Sequence, residues 1–355
     1  MIGNRKLLVD AFCEVREFTK AYQDYEFWDF AKEEEIVPDA VYLISRQQFT
    51  ANIQRIKELA EAGTIIPVLG NPAEGSETIL RQIESLGIVD LIRRGKIILV
   101  VGGYLQEDIP FVYHENFLPK ILDYDENLSA INEYNQYWTA DRPYKFLCLN
   151  GRGRRHRQNL INRLGSLLNQ AIWTNLDAAI GPVKTLDPKY EFNFYKENTH
   201  VSSGFVKYEL FNNDWGEIYL NPKPYLDTHF SLVTETVFDY PYTFRTEKIW
   251  KPIAIGHPWI AVSNAGYYRD MRALGFRTFN NLIDESFDLI EDNAQRLERI
   301  ALEVEWLCEQ DLAKFAEQAR DVCKYNQQLL AELRPKVRQE FPNHFYQFIN
   351  ERSRV

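Results

Sequence analysis

Four short apolar runs open the chain: LLVDAF at 7–12, AVYLIS at 40–45, TIIPVLG at 64–70 and KIILVVGG at 96–103. Each is continuous and rich in β-branched residues, the pattern of strands buried on both faces. Between them, FTANIQRIKELAEAG and SETILRQIESLGIVDLIRRG repeat apolar residues at helical spacing and finish at Gly. This βαβα order predicts an α/β fold, a parallel sheet wrapped by helices. From Tyr104 to Pro143 the pattern weakens into aromatic and acidic residues, which puts a domain boundary near Arg142-Pro143. KFLCLNG at 145–151 restarts a buried strand, followed by a helical RHRQNLINRLGSLLNQ, by AIWTNL and by a mixed region to about Tyr225. The tail from Ser286 to Val355 is helical by periodicity, with Pro335 and Pro342 expected to break it.

Composition narrows the class. A chain of 355 residues exceeds what one core usually fills, so two domains are expected. A hydrophobic content of 45% and an aromatic content of 14% mark it as globular. The net charge of −10 argues against gripping duplex DNA over the whole surface and leaves only a local basic cluster for that purpose. Cys13, Cys148, Cys308 and Cys323 have no CxxC spacing, so neither a zinc ribbon nor a disulfide framework is indicated, and a reducing compartment is expected. MIGNRKLLVDAF has too short an apolar run for a signal peptide, and no run approaches a membrane span, so the expectation is a soluble, cytoplasmic protein.

Candidate chemistry concentrates between Phe230 and Phe279, around the triplet Thr246-Glu247-Lys248. Thr246 is expected to cap a helix starting near Glu247, with Ile249, Trp250, Ile253 and Ala254 buried, Pro252 kinking it and Gly256 ending it. Pro258 to Val262 then reads as a strand. A carboxylate beside an ammonium at the mouth of an α/β unit suits a ribose and a diphosphate. A Glu that only offsets the helix dipole, or a Glu247–Lys251 surface pair, is the plainer alternative. In NGRGRRHRQNLINRL, residues Leu160, Ile161, Leu164, Leu167 and Leu168 share one helical face. Arg154 to Arg157 therefore fall at a helix N-terminus, where unpaired N–H groups favour an anion; a solvated basic loop fits the same residues.

HFSLVTET followed by YTFRTEKIWKPIAIGHPWIAVS resembles the C-terminal signature of the family 10 glycosyltransferases, the α1,3-fucosyltransferases. In that family a strand ending in FENS precedes Y-x-TEK, an apolar helix and a Gly-x-x-Pro-strand. The HRQNLINRL segment is similar to the one that supplies a phosphate-binding Arg seven residues before a helix Leu, matched here by Arg157 and Leu164. Viral and bacterial GT-B glycosyltransferases show a similar pairing. The resemblance covers about residues 145 to 300. It implies a GT-B fold, two Rossmann-like domains facing a cleft with a helical C-terminal tail: 1–142 for the acceptor, 143–330 for the nucleotide sugar, and 331–355 packing back on the first domain.

The resemblance further implies that Glu247 binds ribose or sugar hydroxyls and Lys248 the diphosphate, with Arg157 on a phosphate and Arg155, His156 and Thr246 beside it. The implied reaction is an inverting, metal-independent transfer from a nucleotide sugar, a GDP-sugar being favoured, to a hydroxyl of a carbohydrate acceptor, with no further cofactor. Val233-Thr234-Glu235-Thr236 replaces FENS, and Phe244 stands where Tyr is usual, which leaves donor base and sugar open. Glu235 reads equally as a ligand to a donor hydroxyl and as a strand-end surface residue. Glu107 and Asp108, after the strongest strand, are the candidate general bases, with His114 and Glu115 behind them. Three alternatives stay open. Asp123-Tyr124-Asp125 is a DxD pattern able to hold a divalent cation. Arg152 to Arg157 could instead meet nucleic acid in sugar transfer to a hydroxymethylated DNA base. The chain could also be a non-catalytic sugar- or nucleotide-binding module. His200 and His229 match no metal-ligand spacing and receive no role.

Overall fold

The computed structural model describes residues 2–10, 13, 15, 23–29, 35–72, 76–103, 109–181, 183–190, 195–202, 205–210 and 219–352. Two compact units divide the chain: Met1–Asn116 with Arg334–Val355, and Phe117–Leu333. In the first, β1 (Leu7–Val9), β2 (Glu26–Phe27), β3 (Val41–Ile44), β4 (Ile66–Asn71), β5 (Ile98–Val101) and β6 (Val112–Tyr113) form a parallel sheet in the order β2-β1-β3-β4-β5-β6. Helices α1 (Arg46–Ala51), α2 (Ile53–Glu61), α3 (Ser76–Ser85) and α4 (Val89–Arg93) connect these strands.

Alternation along each strand sends successive side chains to opposite faces. Leu8, Tyr42, Ile44, Leu69 and Leu99 pack with Phe49, Ile56, Ile79 and Ile83 of the connecting helices. Leu7, Val9, Leu43, Val68 and Val100 pack with Phe341, Phe345, Tyr346 and Ile349 near the C-terminus. Both faces are covered, which is why these runs are continuous in sequence instead of alternating with polar residues.

The second unit holds α5 (Phe117–Ile121), α6 (Asp125–Tyr137), β7 (Tyr144–Asn150), α7 (Arg155–Leu164) and β8 (Ala171–Asn175). An antiparallel pair follows, β9 (Tyr195–Ser202) with β10 (Phe205–Leu210). Next come α8 (Pro222–Leu226), β11 (Thr228–Thr234), α9 (Glu247–Ile255), β12 (Trp259–Val262), α10 (Tyr267–Ala273), α11 (Asn293–Cys308) and α12 (Leu312–Arg352). Its main sheet is parallel, in the order β12-β11-β7-β8. The molecule is thus α/β with parallel sheets.

Two sequence expectations are corrected here. Arg142, expected at the domain boundary, is buried inside the second unit, where its guanidinium donates to the Tyr225 carbonyl at 2.8 Å and the Thr228 carbonyl at 2.6 Å. These bonds tie the α6–β7 connection to α8 and β11, and the division falls at Asn116/Phe117 instead. Pro335 and Pro342 do not break the tail: α12 runs through both. Phe341, Phe345 and Ile349 recur every four residues on one buried helical face, and their burial offsets the backbone bonds the prolines forgo. Among the described residues, no helix is long and apolar enough to cross a membrane.

Each main sheet contains one reversal of strand order. In the first unit, β2 and β3 lie on opposite sides of β1; in the second, β8 and β11 lie on opposite sides of β7. The carboxyl ends of strands at such reversals are where open α/β sheets bind ligands.

Candidate functional site

Strands β7 and β11 end side by side at Asn150 and Thr234, both buried. The Thr234 hydroxyl donates to Asn150 Oδ1 at 2.5 Å, and the Thr174 hydroxyl accepts from the Asn150 N–H at 2.8 Å. This closed network forms a rigid floor. The next residue on β11's exit is Glu235, fully buried rather than a strand-end surface residue. Its Oε1 accepts from the Thr246 N–H and the Tyr267 hydroxyl, each at 3.1 Å. Its Oε2 accepts from the Thr246 hydroxyl at 2.7 Å and the Thr236 N–H at 3.2 Å. Burial pushes the Glu235 pKa up, against the pull of the Lys248 charge and the Thr246 bonds. Glu235 is therefore a latch between the end of β11 and the start of α9.

Thr246 caps α9, accepting from the Lys248 N–H at 3.4 Å. The Lys248 ammonium donates to Glu247 Oε1 at 2.5 Å and, over longer distances, to the Thr246 hydroxyl at 3.3 Å and the Thr236 hydroxyl at 3.4 Å. Burial raises the Glu247 pKa, but the charge and hydrogen bond of Lys248, with Lys251 behind them, bring it below the ordinary carboxylate value. The carboxylate is paired within the site to Lys248, and the Lys251 charge also acts on it. Lys248 keeps a quarter of its side chain exposed. Pro252 lies buried inside α9, which runs on to Ile255. Gly256 ends it at φ +81°, and a side chain there would meet Gln327 at 2.7 Å.

The basic cluster separates into buried and exposed members. Arg157 is 2% exposed, with Nη1 donating to the Arg152 carbonyl at 2.7 Å and Nη2 to the carbonyls of Thr234 and Glu235 at 2.9 and 3.0 Å. Burial lowers its pKa to about 10. Both terminal nitrogens hold main-chain carbonyls, so the structure makes this residue a clamp on the β11 exit rather than a guanidinium presented to a phosphate. His156 stacks on Phe238 with ring centroids 5.2 Å apart and donates from Nε2 to the Glu235 carbonyl at 3.0 Å. Burial, helped by the Arg157 charge, lowers its pKa to about 3, so the ring is neutral and adds no charge for an anion. Arg152, Arg154 at the N-cap of α7 and Arg155 at its first helical position are exposed.

Of the sequence candidates, His156, Arg157, Glu235, Thr246, Glu247 and Lys248 thus gather at one sheet reversal. Glu107 and Asp108 lie outside the described residues. His114 and Glu115 are buried in the first unit, His114 against Phe341 at 4.3 Å between centroids and Glu115 accepting from the Tyr113 hydroxyl at 2.7 Å. Asp123 and Asp125 are exposed, and among the described residues no group of three or more His, Cys, Asp or Glu is arranged to hold a metal. His229 packs in the core with Nε2 on the Arg142 carbonyl at 3.2 Å, while the side chain of His200 is outside the described set.

The sequence reading missed Tyr267 and Arg296. Arg296 is buried and donates to the carbonyls of Ser263, Ile290 and Phe238, its guanidinium 4.4 Å over the Phe238 ring. An arginine in helical register with the apolar Ile300 and Val304 was the available signal. Tyr267 gave none, being one aromatic among many. The first unit's reversal was also overlooked: the Ser45 hydroxyl donates to the buried Asp10 carboxylate at 2.6 Å, each residue directly following its strand. Compared with protein-family models and with curated proteins, the chain matches none.

Proposed function

We propose that the protein is a glycosyltransferase of GT-B type, moving a sugar from a nucleoside-diphosphate donor to a hydroxyl of a glycan acceptor with inversion and without a metal. The observation that carries this is the ionised Glu247–Lys248 pair on the first turn of α9, at the strand-order reversal of a parallel sheet. Glu247 offers acceptor oxygens for the vicinal hydroxyls of a ribose or sugar. Lys248 and the positive end of the α9 dipole favour the diphosphate; a phosphate oxygen can displace the two long hydroxyl contacts of the ammonium. As the glycosidic bond breaks, the leaving diphosphate gains charge that these fixed donors stabilise. A general base of the first unit takes the proton of the acceptor hydroxyl, with Glu107 and Asp108 the proposed groups.

Arg157 has a different part in this proposal from the one its sequence position implied. It holds the carbonyls of the β11 exit, and exposed Arg155 takes the phosphate-facing role. A thermal-shift screen against GDP-, UDP-, CMP- and TDP-sugars tests the proposal, because a ligand of the native state raises Tm by mass action. One nucleotide class is expected to raise Tm, and sugar transfer to a glycan panel should then follow with that donor. No shift with any class would overturn it.

A further inference from the structure

Apart from the charged cluster, the second unit carries an open groove of about 660 Å³ between the 280–284 turn and one face of α11. This size lies within the roughly 300–1,000 Å³ of small-molecule sites. Its polar side is preorganised. Arg299 pairs with Asp284 at 2.6 Å and Glu303 at 3.1 Å, and Glu303 accepts from the Asp284 N–H at 2.9 Å. Hydrogen bonds from Ser286, then from Arg299, hold the Asp284 carboxyl below its ordinary pKa and keep it a strong acceptor.

The apolar side is unusual for a surface. Trp306 and Leu302, one helical turn apart on α11, are 46% and 44% exposed, and both line the groove with the exposed Asn280 and Asn281. An uncovered indole beside side-chain amides and fixed carboxylates matches the two faces of a pyranose. C–H groups pack on the ring, and neighbouring hydroxyls pair with planar polar groups. The single cation is already matched by two carboxylates, so nothing there favours a phosphate. We propose that this groove is a carbohydrate-binding subsite for a neutral pyranose of an oligosaccharide, with Trp306 as its platform. It shares no residue with the Glu247–Lys248 cluster and stands independently of the glycosyl-transfer proposal.

Saturation-transfer NMR of the full chain with maltotriose, lactose and chitotriose tests it. At least one sugar is expected to bind the wild type, Trp306→Ala to weaken it about tenfold and Trp306→Phe to keep most of the affinity. Tm and nucleotide binding should not change, since Trp306 is exposed and outside the charged cluster. The proposal is overturned if no sugar binds the wild type, if Trp306→Ala binds it equally, or if that variant only turns a dimer into a monomer in sedimentation. Sugar binding through Trp306 with no nucleotide bound by the wild type would keep this inference and remove the donor site.

Discussion

At the strand-order reversal of the first unit the Ser45 hydroxyl donates to Asp10 at 2.6 Å, and at that of the second the Thr234 hydroxyl donates to Asn150 at 2.5 Å. In both places one short side-chain bond joins the exit of the central strand to that of one neighbour, β1 to β3 and β7 to β11. Beyond that link the two differ. Around the second, Arg157, Glu235 and Glu247 are all buried and are joined by Lys248, Thr246 and Tyr267. Buried ions cost several kcal/mol each unless paired and hydrogen-bonded, and a pair seldom stabilises more than apolar packing would. The first unit forms its parallel sheet without such a cluster among the described residues. Parallel topology therefore does not require it, and the proposed function is what gives the charged groups a use.

Within the cluster, Arg157 and Lys248 should separate sharply. Arg157→Met removes three bonds to carbonyls and the cation facing buried Glu235 and Glu247, with an expected loss of about 3–5 kcal/mol in urea unfolding. A loss below about 1 kcal/mol would show the clamp to be dispensable. Lys248→Ala removes the partner of the buried Glu247 carboxylate, which can take a proton in response, and should cost less, about 1–2 kcal/mol, while weakening nucleotide binding.

Next in size are the two strand links. Thr234→Val leaves the buried Asn150 oxygen without its donor and should cost about 1–3 kcal/mol. Ser45→Ala removes both the Asp10 bond and the α1 N-cap and should cost a similar amount, about 1–2 kcal/mol. A loss at Ser45 no larger than the cap alone accounts for would show the Asp10 link to be dispensable.

A pH series sharpens the contrast further. Burial raises the Glu235 pKa above 4.5, so the folded chain holds that proton more tightly than the unfolded one. The stability this contributes is complete below 4.5 and is lost as pH climbs through the raised value. Relative to Glu235→Gln, wild-type stability should fall over that window; a flat difference would contradict the shift. Glu247, with a lowered pKa, runs the other way, its contribution being lost as pH falls below 4.5. The smallest effect is expected at exposed Asp123, where Asn should change stability by less than about 0.5 kcal/mol.

Much of this architecture was legible in the sequence because buried parallel strands leave continuous apolar runs, as at 41–44, 66–71 and 98–101. The Thr246 cap and the Gly256 stop of α9 were equally readable, each fixed by local backbone chemistry. The domain boundary was not, since Arg142 looks like a linker residue until its guanidinium is seen to join α8 and β11. Arg157 shows the same limit: a basic run at a helix start does not reveal which guanidinium turns inward to carbonyls 77 and 78 residues away. Tyr267 reaches Glu235 across 32 residues, a pairing no local spacing encodes.

The central claim is that Glu247 and Lys248 form a nucleoside-diphosphate site, and calorimetric titration of wild type, Lys248→Ala and Arg157→Lys with GDP and UDP tests it most directly. The expected result is saturable binding of one nucleotide to the wild type, about tenfold weaker for Lys248→Ala, with the Arg157 variant losing Tm more than affinity. Equal affinity in wild type and Lys248→Ala, or no binding of either nucleotide, would contradict it.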